Sequence, residues 1–202
     1  MKRVLHYGGT FDPIHYGHFR CARAVAQVAG FGEVVLVPGW RSPHKVEGSH
    51  PASAVDRLAM CKLAANCDPV FNTDDIEIRR GGTSYTIDTI RALKTAGFPE
   101  VHWLIGADQL LSLPRWREPE ALIAEATFHI MLRPGYDIDW SILPTWLSPL
   151  RRNVVNIPQI DISATMIRGL VRNGQPVDEF VPEPVARYIE SHGLYRDEPR
   201  RP

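Results

Sequence analysis

The chain has 202 residues, 44% of them hydrophobic, and 23 basic against 23 acidic side chains, giving a formal charge of zero with histidine neutral. That length and apolar content suit a single domain with a sizeable core. The balanced charge gives no support to non-specific nucleic-acid binding, and no uninterrupted apolar run approaches the ~18 residues of a membrane span.

Val4-Leu5-His6-Tyr7 reads as a short strand, followed by Gly8-Gly9 and then by residues 15–29, whose Phe19, Ala22, Val25, Ala26 and Ala29 fall at helical spacing. Glu33 to Val37 is an apolar run ended by Pro38-Gly39, the pattern of a buried parallel strand. A polar, proline-punctuated loop from Gly39 to Pro51 precedes a helix over Ala54–Ala65. Phe71 and Ile76-Glu77-Ile78 suggest extended segments, and Thr86–Ala96 a helix closed by Gly97. Val101–Ile105 reads as a strand running into Gly106-Ala107-Asp108, with short helices over Leu110–Leu113 and Pro119–Ala126. Thr127–Leu132 and Val154–Ile157 are the last strands, with Tyr136–Arg152 left unassigned; Ser163–Val171 and Pro184–Ser191 close the chain as helices. Strands alternating with helices predict an α/β, Rossmann-like, doubly wound parallel sheet with helices on both faces and its ligand crevice at the carboxyl ends of the strands. One domain is expected over residues 1–196, with a charged, proline-rich flexible tail at 197–202.

Cys21, Cys61 and Cys67 show no close paired spacing, and the first two sit in apolar helical patterns as buried thiols. No secretory signal pattern follows Met1-Lys2-Arg3, so the expected location is cytoplasmic.

The densest chemistry lies in Gly8 to His18, GGTFDPIHYGH. Glycines at a strand end allow close approach of a ligand to the backbone, and a helix start presents free N–H groups to an anion. His15 and His18 are three positions apart, on one helix face if the segment after Pro13 is helical. Two imidazoles over such a turn suit the oxygens of a nucleoside triphosphate. Asp12-Pro13 is a plausible helix start, with Asp12 capping either the helix or its own loop. Gly8-Gly9 alone would equally serve an ordinary strand-to-helix turn. Neither a P-loop nor a dinucleotide fingerprint is present. Two histidines do not make a zinc site, so no protein-bound metal is expected.

Gly8–His18, with His15-Tyr16-Gly17-His18 as an HxGH signature, resembles the nucleotidyltransferase superfamily of adenylyltransferases. Its second signature, ISSTxxR, is matched by Ile162-Ser163-Ala164-Thr165-Met166-Ile167-Arg168, with alanine at the third position in place of a hydroxyl. Pro43-His44-Lys45, Arg57, Met60, the Glu77–Thr89 segment containing Ser84-Tyr85-Thr86, Gly106-Ala107-Asp108 and Trp116 narrow the resemblance to the bacterial nicotinate-nucleotide adenylyltransferase family over about residues 3–192.

The resemblance implies transfer of AMP from ATP to nicotinate mononucleotide in NAD biosynthesis, giving nicotinate adenine dinucleotide and pyrophosphate by direct in-line attack. Mg²⁺ is expected to arrive on the ATP phosphates. It implies catalytic roles for His15, His18, Lys45 and Arg168. ATP is expected at Gly8, Gly9, Thr10, Phe11, His15, His18, Gly106, Asp108, Ile162, Ser163, Thr165 and Arg168. Nicotinate mononucleotide is expected at Lys45, Ser84, Tyr85, Thr86, Trp116 and Arg117. On residue type alone, Lys45 could be a solvated loop charge, Asp108 a helix cap and Trp116 a half-buried surface aromatic. Nicotinamide mononucleotide or phosphopantetheine is the rival acceptor, and a non-catalytic nucleotide sensor the distant alternative. Neither a nucleic acid nor a membrane is an expected partner; a homo-oligomer is compatible with the sequence.

Overall fold

A computed structural model of the protein describes residues 3–43 and 52–196. Lys45 and the tail at 197–202 lie outside the described residues.

β1 (Val4–Gly9), β2 (Glu33–Pro38), β3 (Phe71–Thr73), β4 (His102–Gly106), β5 (Thr127–Leu132) and β6 (Val154–Asn156) form one sheet in the order β3-β2-β1-β4-β5-β6. Every pairing is parallel. β2 shows why an uninterrupted apolar run belongs here: Val34 and Leu36 face one core, Val35 and Val37 the other. On the first face lie α1 (Tyr16–Ala29), α2 (Ala54–Ala65), α7 (Ala164–Arg172) and α8 (Glu183–Ser191), which contribute Phe19, Met60, Ile167 and Ile189. On the second lie α4 (Thr86–Thr95), α5 (Ala107–Ser112) and α6 (Pro119–Glu125), which contribute Ile90, Leu110 and Leu122. Strand order reverses between β1 and β4, so a crevice opens beyond Gly9 and Gly106, where such sheets bind ligands.

Two local expectations need correction. Ile76-Glu77-Ile78 is helical, part of α3 (Ile76–Arg80). Its apolar pair had suggested a strand, but Asp74 Oδ1 accepts the Ile76 N–H at 2.9 Å, and Arg79 pairs with Asp75 one turn back. Asp12 caps no helix: α1 begins at Tyr16, with His15 as its N-cap residue, and Asp12 is committed elsewhere. A 3₁₀ segment, Thr145–Asn153, with Pro149 inside it, begins in the stretch 136–152 that the sequence pattern does not assign. Cys21 and Cys61 are buried, and Cys67 is exposed.

Candidate active site

The loop from β1 into α1 forms the wall between two cavities. Phe11 turns it with a φ of +51°, a left-handed conformation unusual for an aromatic residue and of the kind that marks functional loops. The Phe11 ring is buried, edge-on to His18 at 5.1 Å between centroids. Asp12 is buried as well: its Oδ1 accepts from the Tyr195 hydroxyl at 2.8 Å, and its carbonyl accepts from Arg168 Nη1 at 2.7 Å. These bonds tie the loop at Asp12 to the C-terminal part of the chain.

The first cavity, about 260 Å³, is lined by His15, His18, Asp108, Arg133, Ile162 and Ser163 among others. The two imidazoles lie against each other, centroids 3.7 Å apart and planes tilted by 31°. Gly17 permits this, because a Cβ there would stand 2.8 Å from the His15 ring. Burial pushes the His15 imidazole down to about 4, with the positive Arg133 acting in the same direction. Burial, His15 and Arg133 together hold His18 well below the usual range. Both rings are neutral near pH 7. The His15 backbone N–H donates to His18 Nδ1 at 3.3 Å. A backbone N–H can only donate, so Nδ1 presents its lone pair and the single ring proton sits on Nε2. His18 is thus set as a neutral hydrogen-bond donor.

Asp108 approaches so closely that a Cβ on Gly106 would lie 2.3 Å from its Oδ1. Glycine at the end of β4 leaves that space to the carboxylate. Ser163 caps α7, accepting from the Met166 N–H at 3.2 Å, which aims the free amides of that helix start at the cavity rim.

The second cavity, about 400 Å³, lies on the other side of the β1 loop. Gly8, Gly9 and Thr10 line it, opposite Ser84, Tyr85, Thr86, Trp116 and Arg117. Thr86 is the first residue of α4, so helix N–H groups open into the space. Trp116 Nε1 donates to Ser112 Oγ at 3.1 Å, fixing the indole plane. The Arg117 guanidinium stands 4.9 Å over the Tyr85 ring and 3.4 Å from the Asp88 carboxylate. Glu77 is buried in the wall and accepts from Thr89 Oγ1 at 2.5 Å; burial raises its pKa, against the lowering effect of hydrogen bonds from Thr89 and Ser84.

The structure gathers most of the sequence-derived positions, and divides them. His15, His18, Gly106, Asp108, Ile162 and Ser163 line the smaller cavity, while Gly8, Gly9 and Thr10 line the larger. Phe11, Thr165 and Arg168 line neither: the Phe11 ring packs against His18, and Arg168 donates to Asp12 O and to Thr165 Oγ1 at 3.2 Å. Residues without an assigned role in the sequence reading also belong here. Gln109 lines both cavities, and its Oε1 accepts from the Gly106 N–H at 3.0 Å. The signal was its position three after Gly106, the spacing of a capping box. Arg133 was legible as a strand-end residue. Arg57 stands beside Asp56 in the first turn of α2, and sequence alone did not mark it as the buried one of the two.

Two cavities on either side of the reversal in a parallel sheet, one carrying paired imidazoles at a glycine loop, define a nucleotidyltransferase. A model of the cytidylyltransferase-like family matches residues 6–170. A "Probable nicotinate-nucleotide adenylyltransferase" of Herpetosiphon aurantiacus is 41% identical over 199 residues, covering 96% of this chain and 99% of its own. One of the same description from Symbiobacterium thermophilum is 41% identical over 201 residues, covering 96% of each. The chain belongs to the cytidylyltransferase-like family and, within it, to the nicotinate-nucleotide adenylyltransferases. In fold it is similar to Plasmodium falciparum nicotinic acid mononucleotide adenylyltransferase complexed with NaAD, at a TM-score of 0.74 and 20% identity over 96% of this chain and 98% of that one.

Proposed function

We propose that the protein transfers AMP from ATP to nicotinate mononucleotide, giving nicotinate adenine dinucleotide and pyrophosphate in NAD biosynthesis. One observation carries this: a single loop walls both cavities and Gln109 lines both, so two nucleotides seated on its two sides bring their phosphates together. Relatives about 40% identical over nearly their full length bear the corresponding name.

On this reading ATP occupies the side of His15, His18 and Asp108, with the Asp108 carboxylate accepting from ribose hydroxyls. The pyridine nucleotide occupies the side of Ser84, Tyr85, Thr86, Trp116 and Arg117. Its ring stacks on Trp116, and the nicotinate carboxylate meets backbone N–H groups near Thr86 and Arg117. An amide would need acceptors as well as donors there. A 5′-phosphate oxygen of the acceptor attacks the α-phosphorus of ATP. The bond from that phosphorus to the bridging oxygen breaks, and pyrophosphate leaves with the electron pair. The nucleophile is already ionised, so the protein needs to align and neutralise rather than to remove a proton. His18 Nε2–H supplies a donor to the phosphate oxygens, and His15 supports it. Arg168 acts by fixing the loop through Asp12. Lys45, outside the described residues, is assigned an ammonium contact to phosphate. Mg²⁺ enters with ATP; when bound it neutralises the leaving pyrophosphate. The neutral imidazole donors and the permanent charge of Arg133 suit phosphate oxygens, and the ion would be held by the triphosphate.

Side-by-side kinetics with nicotinate mononucleotide, nicotinamide mononucleotide and phosphopantetheine test the assignment. The first should win in kcat/KM, with pyrophosphate released. A preference for either competitor overturns the acceptor, and no pyrophosphate with any of them restores the sensor reading.

A further inference from the structure

Arg57 is 1% exposed, yet it lines neither cavity. Its Nη1 donates to the Thr10 carbonyl at 2.6 Å and its Nη2 to the Trp40 carbonyl at 2.9 Å, while Nε has no hydrogen-bond partner. Thr10 belongs to the loop after β1, which carries on to His15 and His18. Trp40 belongs to the loop after β2, and its N–H donates to Ser84 Oγ at 2.9 Å. Ser84 N–H in turn donates to the Arg41 carbonyl at 2.8 Å, just ahead of α4. A single planar cation therefore joins the imidazole loop to the segment that ends in Tyr85 and Thr86.

Packing does not explain a charge at this place. An apolar side chain of similar volume would fill the space without the cost of burying an ion. A guanidinium is the side chain that can hold two backbone carbonyls at once in a fixed fork. The acidic groups acting on it come from both sides: Asp12 from the loop of the smaller cavity and Glu77 from the wall of the larger.

We infer that Arg57 is a positioning residue that couples the two nucleotide half-sites, so that occupancy of either cavity tightens binding in the other. The inference rests on the two-nucleotide reading above. A ligand that settles the β1 loop fixes the Thr10 carbonyl, and through Arg57 the Trp40 carbonyl and the Ser84 segment. By linkage the effect is reciprocal, the same factor in both directions.

The test uses the full chain with α,β-methylene-ATP, which does not transfer AMP, and nicotinate mononucleotide. Each is titrated by calorimetry alone and with the other saturating. In the wild type each should tighten the other by an equal factor of at least about fivefold. Arg57→Lys keeps the charge but loses the fork; the factor should fall towards one, by more than either single-ligand affinity changes. That separates coupling from a merely structural role, which would weaken both ligands and leave their ratio intact. Should Arg57→Lys fail to fold, hydrogen exchange on the wild type decides: methylene-ATP alone should slow exchange at the Trp40 and Ser84 amides across the wall. Independent binding in the wild type, wild-type coupling in Arg57→Lys, or unchanged exchange at those amides overturns the inference and leaves the two-nucleotide reading standing. Failure of the wild type to bind nicotinate mononucleotide removes both.

Discussion

The Tyr195 hydroxyl donates to Oδ1 of Asp12 at 2.8 Å, joining positions 183 residues apart in the chain. Both side chains are buried. Burial and the Asp12 carboxylate push the Tyr195 phenol far above its ordinary range, so it remains a donor at any working pH. With Arg168 on the Asp12 carbonyl, the C-terminal part of the chain holds the loop that separates the two cavities. Tyr195→Phe removes the donor and leaves a buried carboxylate oxygen short of one partner. The cost should be about 1–3 kcal/mol. Thermal unfolding should show it as a Tm lower by roughly 2–4 °C for each kcal/mol. A Tm within a degree of wild type would show that Asp12 does not depend on this bond.

His18→Ala should lower kcat/KM by about 10²–10³-fold, the usual effect of removing one preorganised donor from a developing charge. Pyrophosphate release measures this, and circular dichroism should show an unchanged secondary structure. Near-wild-type turnover would take His18 out of the phosphate network.

The protonation state of the pair sets the pH profile. kcat/KM reports groups in the free enzyme, and there burial holds His15 at about 4 and His18 well below its usual value. Neutral donors do not change between pH 7 and 9, so kcat/KM should be level across that range. If an imidazolium were required, the rate would fall about tenfold per pH unit as pH rises. Such a fall would reject the neutral donor on Nε2.

Most of the sheet was legible because buried parallel strands are written as continuous apolar runs, as in Glu33–Pro38 and Thr127–Leu132. The imidazole pair was legible because a local string carries both the turn and the side chains. The Ile76–Arg80 helix was not: its apolar pair fits either state, and the deciding contacts come from Asp74 and Asp75. The groups that hold the site were harder still. Arg57, Arg168 and Tyr195 act through backbone carbonyls or through a residue far away in sequence, and no spacing rule encodes such a pairing. Which cavity Gly8 to Thr10 line was not legible either, because the string is continuous while the chain passes between the two; they line the larger one.

Trp116→Ala should raise KM for nicotinate mononucleotide about tenfold or more while leaving KM for ATP within a few-fold. The indole lines the larger cavity and is oriented by Ser112, so its loss removes a stacking face without touching the imidazoles. Initial-rate measurements with each substrate varied in turn separate the two constants. An equal loss confined to ATP would move the pyridine ring away from Trp116.

Acid stability follows from five imidazoles that the fold holds below their ordinary range, His6, His15, His18, His102 and His129. Burial is the first cause that lowers His6, His15 and His129 to about 4, with His102 and Arg3 adding to the effect at His129. An unfolded chain titrates its histidines near 6.5. Between those values the unfolded state binds protons that the folded state does not, so stability falls as pH falls, starting near pH 6.5 and levelling off below about 4. Each fully unmatched proton contributes a slope of about 1.4 kcal/mol per pH unit. Urea midpoints at pH 7, 6 and 5 should therefore drop progressively. His6 lines neither nucleotide cavity and packs edge-on to Phe98 at 5.2 Å. His6→Leu should make the acid slope shallower, with kcat/KM at pH 7.5 close to wild type. An unchanged slope in that variant would mean that the His6 ring takes up its proton in the folded state as readily as in the unfolded one.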